Sequence, residues 1–181
     1  MTKSELRKLH KKQRDEIAVD IRTSREKSII QQLFSLEEVI NAKTIFIYNS
    51  FGSEVSTKEL TQKFLQEGKE IYVPKIFGEI MKAVKFDGEQ EINKYGILEP
   101  KENVFAKSVD LTITPLLAVD KFGNRIGYGK GYYDKFFMEH KTLKIGICFS
   151  NQIVDKIDSD ENDIPLDYVI YDGGVIKTER I

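Results

Sequence analysis

The residue types best suited to chemistry lie close together in residues 123–134, whose sequence is GNRIGYGKGYYD. Three glycines alternate within this segment: Gly127, Gly129 and Gly131. Their backbone N–H groups are unshielded by side chains, and positive φ angles are accessible to them. Arg125 and Lys130 add two cations, and a helix predicted at 132–140 follows, whose N-terminus favours anions. The segment therefore predicts a cradle for phosphate groups.

The glycine spacing does not match either of the common phosphate-binding motifs. Asn124 stands where a Walker A loop has its first glycine, and Gly131 replaces the Ser or Thr that follows the lysine. The pattern G-x-G-x-G also differs from the G-x-G-x-x-G of a Rossmann fingerprint. The alternative interpretation is a flexible loop between a strand and a helix.

Charge is balanced over the whole chain but not locally. The 28 Lys and Arg residues nearly match the 29 Asp and Glu residues, for a formal net charge of −1. No overall field therefore attracts nucleic acid or an anionic membrane. Residues 1–27 nevertheless carry nine basic and five acidic residues, whereas residues 155–172 carry seven acidic residues and Lys156. Each patch is either a solvated surface or half of a site that binds phosphates and a cation together.

Length and composition indicate one soluble domain. The chain has 181 residues, 40% of them hydrophobic and 31% charged, which predicts a single domain over residues 1–181. No apolar run approaches the length of a transmembrane helix, and the basic N-terminal segment lacks the apolar core of a secretory signal. One cysteine and two histidines exclude a disulfide framework and a Cys/His zinc cluster. We expect a monomer in the cytoplasm, without nucleic-acid or membrane partners.

Helix and strand patterns alternate along the chain. Thr2 and Glu5 have the spacing of a capping box, which opens a helix at about Lys3. Further helices are predicted at 25–34, from a second capping box at Ser56 and Glu59 to Gly68, and at 132–140. Strands are predicted at 44–48, 71–73 (stopped by Pro74), 81–86 (followed by an Asp87-Gly88 turn), 111–114, 145–149 and 168–171. The segment 116–119 is predicted to extend the preceding strand after a break, and 96–100 is predicted to be irregular.

This order favours an α/β fold with a mostly parallel sheet covered by helices. On the first helix, one stripe carries four basic residues: Lys3, Arg7, Lys11 and Arg14. We interpret Lys11 and Arg14 as solvated, His10 and His140 as surface residues, and Cys148 as a small core residue.

The segment RIGYGKGYYD at 125–134 closely resembles the signature of the 5-formyltetrahydrofolate cyclo-ligases, also called methenyltetrahydrofolate synthetases. Other matching pieces follow in order along nearly the whole chain: Lys3 with Leu6-Arg7, Ser53-Glu54, Val73-Pro74-Lys75, Pro115 with Asp120, and Asn162-Asp163. The resemblance implies a single-domain three-layer α/β/α fold. It also implies that MgATP is consumed to convert 5-formyltetrahydrofolate into 5,10-methenyltetrahydrofolate, with release of ADP and phosphate.

The resemblance further implies roles for individual residues. Arg125 and Lys130 are implied to be catalytic, and Asp134 and Asp163 are implied to bind Mg²⁺. The residues implied to bind ATP are Lys3, Ser4, Glu5, Leu6, Arg7, Arg125, Ile126, Gly127, Tyr128, Gly129, Lys130, Gly131, Tyr132 and Tyr133. The residues implied to bind the folate substrate are Asn49, Glu54, Tyr128, Gly129, Lys130, Gly131 and Tyr132.

Two of these assignments also have support from the residues themselves. Asn49 and Glu54 follow a buried strand at its carboxyl end, where open α/β sheets bind ligands. Mg²⁺ takes one or two carboxylates together with phosphate oxygens, which suits two aspartates from separate segments.

Two other functions are compatible with the same residues. One is a non-catalytic nucleotide-binding module whose basic N-terminal helix docks RNA or a protein. RNA is disfavoured because the basic stripe is short, the net charge is −1 and no RNA-binding motif is present. The other is a different ATP-dependent kinase or ligase on the same scaffold.

Overall fold

The computed structural model describes residues 1–86 and 89–179, so the predicted Asp87-Gly88 turn lies outside the described residues. The helices of the described part are α1 (Lys3–Asp15), α2 (Val19–Leu33), α3 (Glu37–Asn41), α4 (Lys58–Gln66), α5 (Tyr132–Glu139) and a short 3₁₀ helix, η1 (Ser150–Gln152). Its strands are β1 (Thr44–Ile47), β2 (Glu70–Phe77), β3 (Ile80–Lys85), β4 (Gln90–Ile92), β5 (Leu98–Pro100), β6 (Leu111–Thr114), β7 (Ala118–Val119), β8 (Arg125–Ile126), β9 (Leu143–Cys148), β10 (Tyr168–Tyr171) and β11 (Gly174–Lys177).

A seven-stranded sheet with the order β11-β10-β9-β6-β1-β2-β3 forms the centre of the fold. The five inner strands pair in parallel, and the edge strands β3 and β11 pair antiparallel to their neighbours. Two smaller antiparallel pairs, β4–β5 and β7–β8, lie outside this sheet. The α/β class and the mostly parallel sheet are confirmed.

Helical elements cover both faces of the sheet, which confirms the three-layer arrangement. Alternate strand residues such as Ile45 and Ile113 belong to a core cluster that includes residues of α2, α3 and α4. The opposite face, represented by Phe46 and Val169, packs against Phe136 of α5. None of the helices in residues 1–86 and 89–179 combines the length and apolar character needed to cross a membrane.

Strand β2 continues past the proline that was predicted to stop it. The parallel pairing of β1 with β2 ends at Phe46 and Tyr72. Beyond that point β2 pairs with β3, with Pro74 opposite Ala83. A proline is compatible with a strand where one of its sides has no partner. The extension matters because Pro74 and Ile76 line the cleft described below.

The predicted capping box at Ser56 is wrong, since the residue that caps α4 is Thr57, without a side-chain capping bond. The Thr57 hydroxyl instead donates to the Tyr48 carbonyl at 2.7 Å and accepts from the Ser50 N–H at 3.1 Å. These bonds tie the start of the loop that follows β1 to its end, so Thr57, one residue after the predicted cap Ser56, shapes that loop.

The segment 96–100, predicted to be irregular, contributes strand β5 to a hairpin with β4. Long-range contacts stabilise it: the buried Lys75 ammonium donates to the Pro100 carbonyl at 2.6 Å, and the buried Glu99 carboxylate accepts from the Ile76 N–H at 3.0 Å. No local pattern in the sequence predicts these bonds.

Candidate active site

A cleft of about 610 Å³ opens at the carboxyl ends of the central strands. After β1 the chain builds β2 and β3 on one side, and it then returns to place β6 on the other side of β1. Such a reversal of strand order leaves a crevice that is the usual ligand site of open α/β sheets. Tyr48 and Asn49, which follow β1, and Pro115, which follows β6, line this crevice.

One part of the cleft holds a charged cluster, which we define as Lys3, Arg125, Asp134 and Asp163. Lys3 Nζ lies 2.7 Å from Asp163 Oδ2, and Arg125 Nη2 lies 3.9 Å from Asp134 Oδ1. The Ile164 N–H donates to Asp134 Oδ1 at 3.1 Å, which brings the two aspartate segments together. The basic N-terminal region and the acidic patch at 155–172 therefore meet at one site.

Arg125 is a buried cation that lacks a full set of partners. Its side chain is only 7% exposed, and its Nε has no hydrogen-bond partner among the described residues. Burial lowers the pKa of this guanidinium, and the nearby Asp134 carboxylate opposes the shift. Arginine nevertheless stays protonated in proteins. A buried donor without an acceptor is costly, so this position is suited to an anionic ligand.

The glycine-rich loop joins β8 to α5 and is covered by two guanidinium groups. A Cβ at Gly127 would lie 2.8 Å from Arg125 Nη1, and a Cβ at Gly129 would lie 3.4 Å from Arg7 Cζ. Gly129 also has a φ of +92°, which favours glycine. Arg7 Nε donates to the Gly127 carbonyl at 3.0 Å, which ties α1 to the loop. Conformation therefore favours glycine at Gly129, whereas a side chain at Gly127 would have to displace the end of the Arg125 side chain.

A second polar group in the cleft is the Glu54 carboxylate. Its Oε1 accepts from the Phe51 N–H at 2.7 Å, and its Oε2 accepts from the Tyr128 hydroxyl at 3.1 Å. Burial raises the pKa of the Glu54 carboxyl, while the Phe51 N–H, the Arg14 charge and the Tyr128 hydroxyl oppose the shift. Burial also raises the pKa of Tyr128 to about 12, so Tyr128 remains a neutral donor.

The β4–β5 hairpin forms another wall of the cleft. Asn49 Nδ2 donates to Gln90 Oε1 and to the Leu98 carbonyl, both at 2.8 Å, which connects the loop after β1 to the hairpin. The Tyr95 and Tyr132 hydroxyls lie 3.0 Å apart, which connects the hairpin to the start of α5. Apolar side chains complete the lining here: Phe51, Pro74, Ile76, Met81 and Ile97. This part of the cleft is suited to a flat, largely apolar ring system.

Most of the residues proposed from the sequence line this cleft. They are Lys3, Arg7, Asn49, Glu54, Asp134, Asp163 and all residues from Arg125 to Tyr133. Three residues of the predicted ATP-binding segment at 3–7 do not line the cleft. Glu5 caps α1 with Thr2, Leu6 packs beside the cluster that contains Ile126, and Ser4 is exposed.

Two interpretations of α1 are wrong. Arg14, interpreted as solvated, is 3% exposed and contacts the cleft, and His10, interpreted as a surface residue, is 5% exposed. His10 accordingly packs inside, next to Asn151. Arg14 lies seven residues after Arg7, the spacing that places two side chains on one helix face. That spacing was the available signal that both arginines face the site.

Comparisons with known proteins show the family of this chain. The family model of the 5-formyltetrahydrofolate cyclo-ligase family matches residues 1–172. A 5-formyltetrahydrofolate cyclo-ligase from Haemophilus influenzae is 33% identical over 153 residues, covering 78% of this chain and 82% of the relative. The corresponding protein from Escherichia coli K12 is 30% identical over 77% of this chain and 83% of its own length.

A solved structure supports the same assignment. The NMR structure of Aquifex aeolicus 5,10-methenyltetrahydrofolate synthetase superimposes with a TM-score of 0.89 at 31% identity, covering all of this chain and 95% of that one. A synthetase from Mycoplasma pneumoniae, 24% identical with a TM-score of 0.79, shares the fold. The chain therefore belongs to the 5-formyltetrahydrofolate cyclo-ligase family of ligases.

Proposed function

We propose that the protein uses ATP and Mg²⁺ to cyclise 5-formyltetrahydrofolate to 5,10-methenyltetrahydrofolate, with release of ADP and phosphate. The observation that carries the proposal is the buried Arg125, whose Nε has no acceptor among residues 1–86 and 89–179 and which lies beside a loop of alternating glycines. A triphosphate offers acceptor oxygens and negative charge to such a group. Family membership supports the folate reaction.

The two polar regions of the cleft suggest how the substrates divide between them. The triphosphate would bind at Lys3, Arg7, Arg125 and the N–H groups of residues 126–133, at the start of α5. The folate would bind across Tyr128–Tyr132 towards Glu54 and Asn49. The Glu54 carboxylate would accept hydrogen bonds from the amino and ring N–H groups of the pterin, and the apolar lining would contact its flat ring. The glycine-rich loop would thus contact both substrates.

The proposed chemistry makes the formyl oxygen a better leaving group. The γ-phosphoryl group moves to that oxygen, so an O–P bond forms and the bond to ADP breaks. N10 of the folate attacks the formyl carbon, the C–O bond to phosphate breaks, and the N10 proton is lost. Arg125 and Lys130 would neutralise charge on the moving phosphoryl group, since protein catalysis of such transfers is mainly positioning and electrostatic stabilisation.

Asp134 and Asp163 are the residues that would hold Mg²⁺. Among residues 1–86 and 89–179, no group of three or more His, Cys, Asp or Glu side chains is placed to hold a metal ion. Two carboxylates nevertheless fit Mg²⁺, which completes its shell with phosphate oxygens and waters. When bound, the ion would neutralise charge on the phosphate oxygens. Lys3 holds the Asp163 carboxylate in place in the structure.

Asp163→Asn is expected to raise the Mg²⁺ concentration needed for half-maximal activity by roughly 10- to 100-fold, as for other changes around bound metals. The amide keeps the shape but loses the charged oxygen that a hard cation prefers. Activity measured against Mg²⁺ concentration tests this. Asp160→Asn, an exposed change in the same loop, is the control. An unchanged Mg²⁺ requirement would show that Asp163 does not bind the metal.

The function is tested by incubating the protein with 5-formyltetrahydrofolate and MgATP and recording the absorbance of the methenyl product. We expect product and ADP in equal amounts, and no product when ATP is omitted. ATP binding without product would favour a non-catalytic nucleotide-binding module. ADP release only with another acceptor would favour a different kinase or ligase. The monomeric state and the cytoplasmic location stay predictions.

A further inference from the structure

Arg14, in the last turn of α1, is a buried cation that connects three segments of the cleft. Its Nε donates to Ser53 Oγ at 2.9 Å, Nη1 to the Leu116 carbonyl at 3.3 Å, and Nη2 to the Tyr128 hydroxyl at 2.9 Å. The three acceptors belong to the loop after β1, the segment after β6 and the glycine-rich loop. None of them is a carboxylate, although burying a charge is costly. Stability alone therefore does not explain why a cation is buried at this position.

The direction of the hydrogen bonds from Arg14 is fixed by its chemistry. A guanidinium can only donate, so the Tyr128 oxygen must accept from it. The single hydrogen of the Tyr128 hydroxyl is then directed to Glu54 Oε2, 3.1 Å away. The Phe51 N–H donates to the other oxygen of Glu54. Glu54 therefore accepts at both oxygens, which is the pattern of an ionised carboxylate.

We infer that Arg14 is a positioning residue that acts through Tyr128 to keep Glu54 charged and oriented as an acceptor for N–H donors of the substrate ring. The assignment of Glu54 to the substrate rests on the proposed function. The series of hydrogen bonds from Arg14 through Tyr128 to Glu54 does not itself depend on that function. An ionised Glu54 favours ligands that present N–H groups to it and disfavours ligands that present acceptors to it.

The surroundings of Glu54 show why it needs such support. Burial raises the pKa of its carboxyl, and the Arg14 charge and the Tyr128 hydroxyl are among the groups that oppose the rise. The other titratable groups that face Glu54 are Tyr48 and Tyr133, and burial raises the pKa of both hydroxyls. Both are therefore neutral at physiological pH. Within the described part of the chain, Arg14 is the cation that acts electrostatically on Glu54.

Holding the loop after β1 in place does not by itself account for Arg14. Arg22 Nη1 donates to the Ser53 carbonyl at 2.6 Å, and the Ser53 hydroxyl donates to Asp15. Ser53 therefore stays anchored when Arg14 is removed. The bond to Tyr128 has no such duplicate among the described contacts, so the distinctive effect of losing Arg14 falls on Tyr128 and Glu54.

The inference predicts that Arg14→Met shifts the titration of Glu54 to higher pH. Removing the positive charge and the fixed donor favours the protonated carboxyl. The measurement is a ¹³C NMR titration of the glutamate carboxyl groups in the ligand-free protein, with the Glu54 signal identified by its loss in Glu54→Gln. Lys12→Met removes an exposed charge from the same helix and is expected to leave the titration unchanged.

Turnover gives a second readout for the same variant. We expect the KM for 5-formyltetrahydrofolate to rise at least roughly tenfold, the effect of losing a hydrogen bond to a charged group. The acid limb of kcat/KM should move to higher pH, while the KM for ATP stays unchanged. Arg14→Lys should restore part of the effect, because it keeps the charge but reaches fewer acceptors.

Tyr128→Phe tests the same link if Arg14→Met does not fold. Tyr128 is 49% exposed, so loss of its hydroxyl threatens folding less, and the Glu54 titration should again move to higher pH. An unchanged titration in either folded variant would overturn the inference. A wild-type protein that forms no methenyl product would instead overturn the proposed function, and the NMR titration would still decide the role of Arg14.

Discussion

Arg125→Ala is expected to lower kcat by roughly 10²- to 10³-fold, the usual effect of removing one well-placed donor to a developing charge. The side chain is buried, lies 3.9 Å from Asp134 and covers Gly127 of the glycine-rich loop. In the proposed mechanism it would meet the moving phosphoryl group from a position that is only 7% exposed, where electrostatic stabilisation is stronger than in water. Initial rates of methenyl formation at saturating substrates measure the effect.

Lys121→Ala is the control for Arg125. Lys121 lies in the turn of the same β7–β8 hairpin, is exposed and pairs with Glu179, and exposed pairs contribute little. Its kcat should stay near the wild-type value. Lys130 is exposed in the cleft lining, so Lys130→Ala should lower kcat less than Arg125→Ala. A kcat for folded Arg125→Ala within a few-fold of wild type would remove Arg125 from the catalytic machinery.

Glu54→Gln is expected to raise the KM for 5-formyltetrahydrofolate by about 5- to 150-fold, the range for leaving a buried polar group unpaired. Two donors, the Phe51 N–H and the Tyr128 hydroxyl, point at the carboxylate in the structure. A glutamine would turn an N–H₂ group towards one of them and would offer fewer acceptors to the pterin. The KM for ATP should stay unchanged.

Glu59→Gln makes the same chemical change at an exposed position of α4, and both KM values should remain as in wild type. Steady-state rates with each substrate varied in turn provide the comparison. A normal folate KM in Glu54→Gln would place the pterin elsewhere in the cleft.

The alternating helices and strands were predictable because their signals are local. The run at 44–48 gave β1, and the Gly127–Gly131 pattern gave the loop before α5. The same pattern with Arg125 predicts an anion site, since glycine spacing and positive charge act over a few residues, and that site stays a prediction. The sequence showed that Lys3 lies in a basic patch and Asp163 in an acidic patch. It did not show that the two side chains are in contact, because that depends on the fold.

The features that the sequence did not predict depend on contacts between distant segments. Pro74 stays within β2 because β1 ends before it reaches that point. The β4–β5 hairpin is held by hydrogen bonds to β2. Lys75 donates to the Pro100 carbonyl, and the Glu99 carboxylate accepts from the Ile76 N–H. In the sequence, Arg14 resembles the other surface cations of an amphipathic helix. In the structure it is buried by the loops that contain Ser53 and Tyr128. Burial of a polar group is a tertiary property, and local patterns do not contain it.

The fate of the formyl oxygen tests the central claim most directly. The substrate is 5-formyltetrahydrofolate with ¹⁸O in the formyl group, incubated with MgATP and the enzyme, and the label is measured by mass spectrometry in phosphate, ADP and water. If ATP activates that oxygen, the label must appear in inorganic phosphate, one atom for each methenyl product, because phosphate leaves far more easily than oxide or hydroxide. Label recovered in water, with unlabelled phosphate, would contradict the account and the roles given to Arg125 and Lys130.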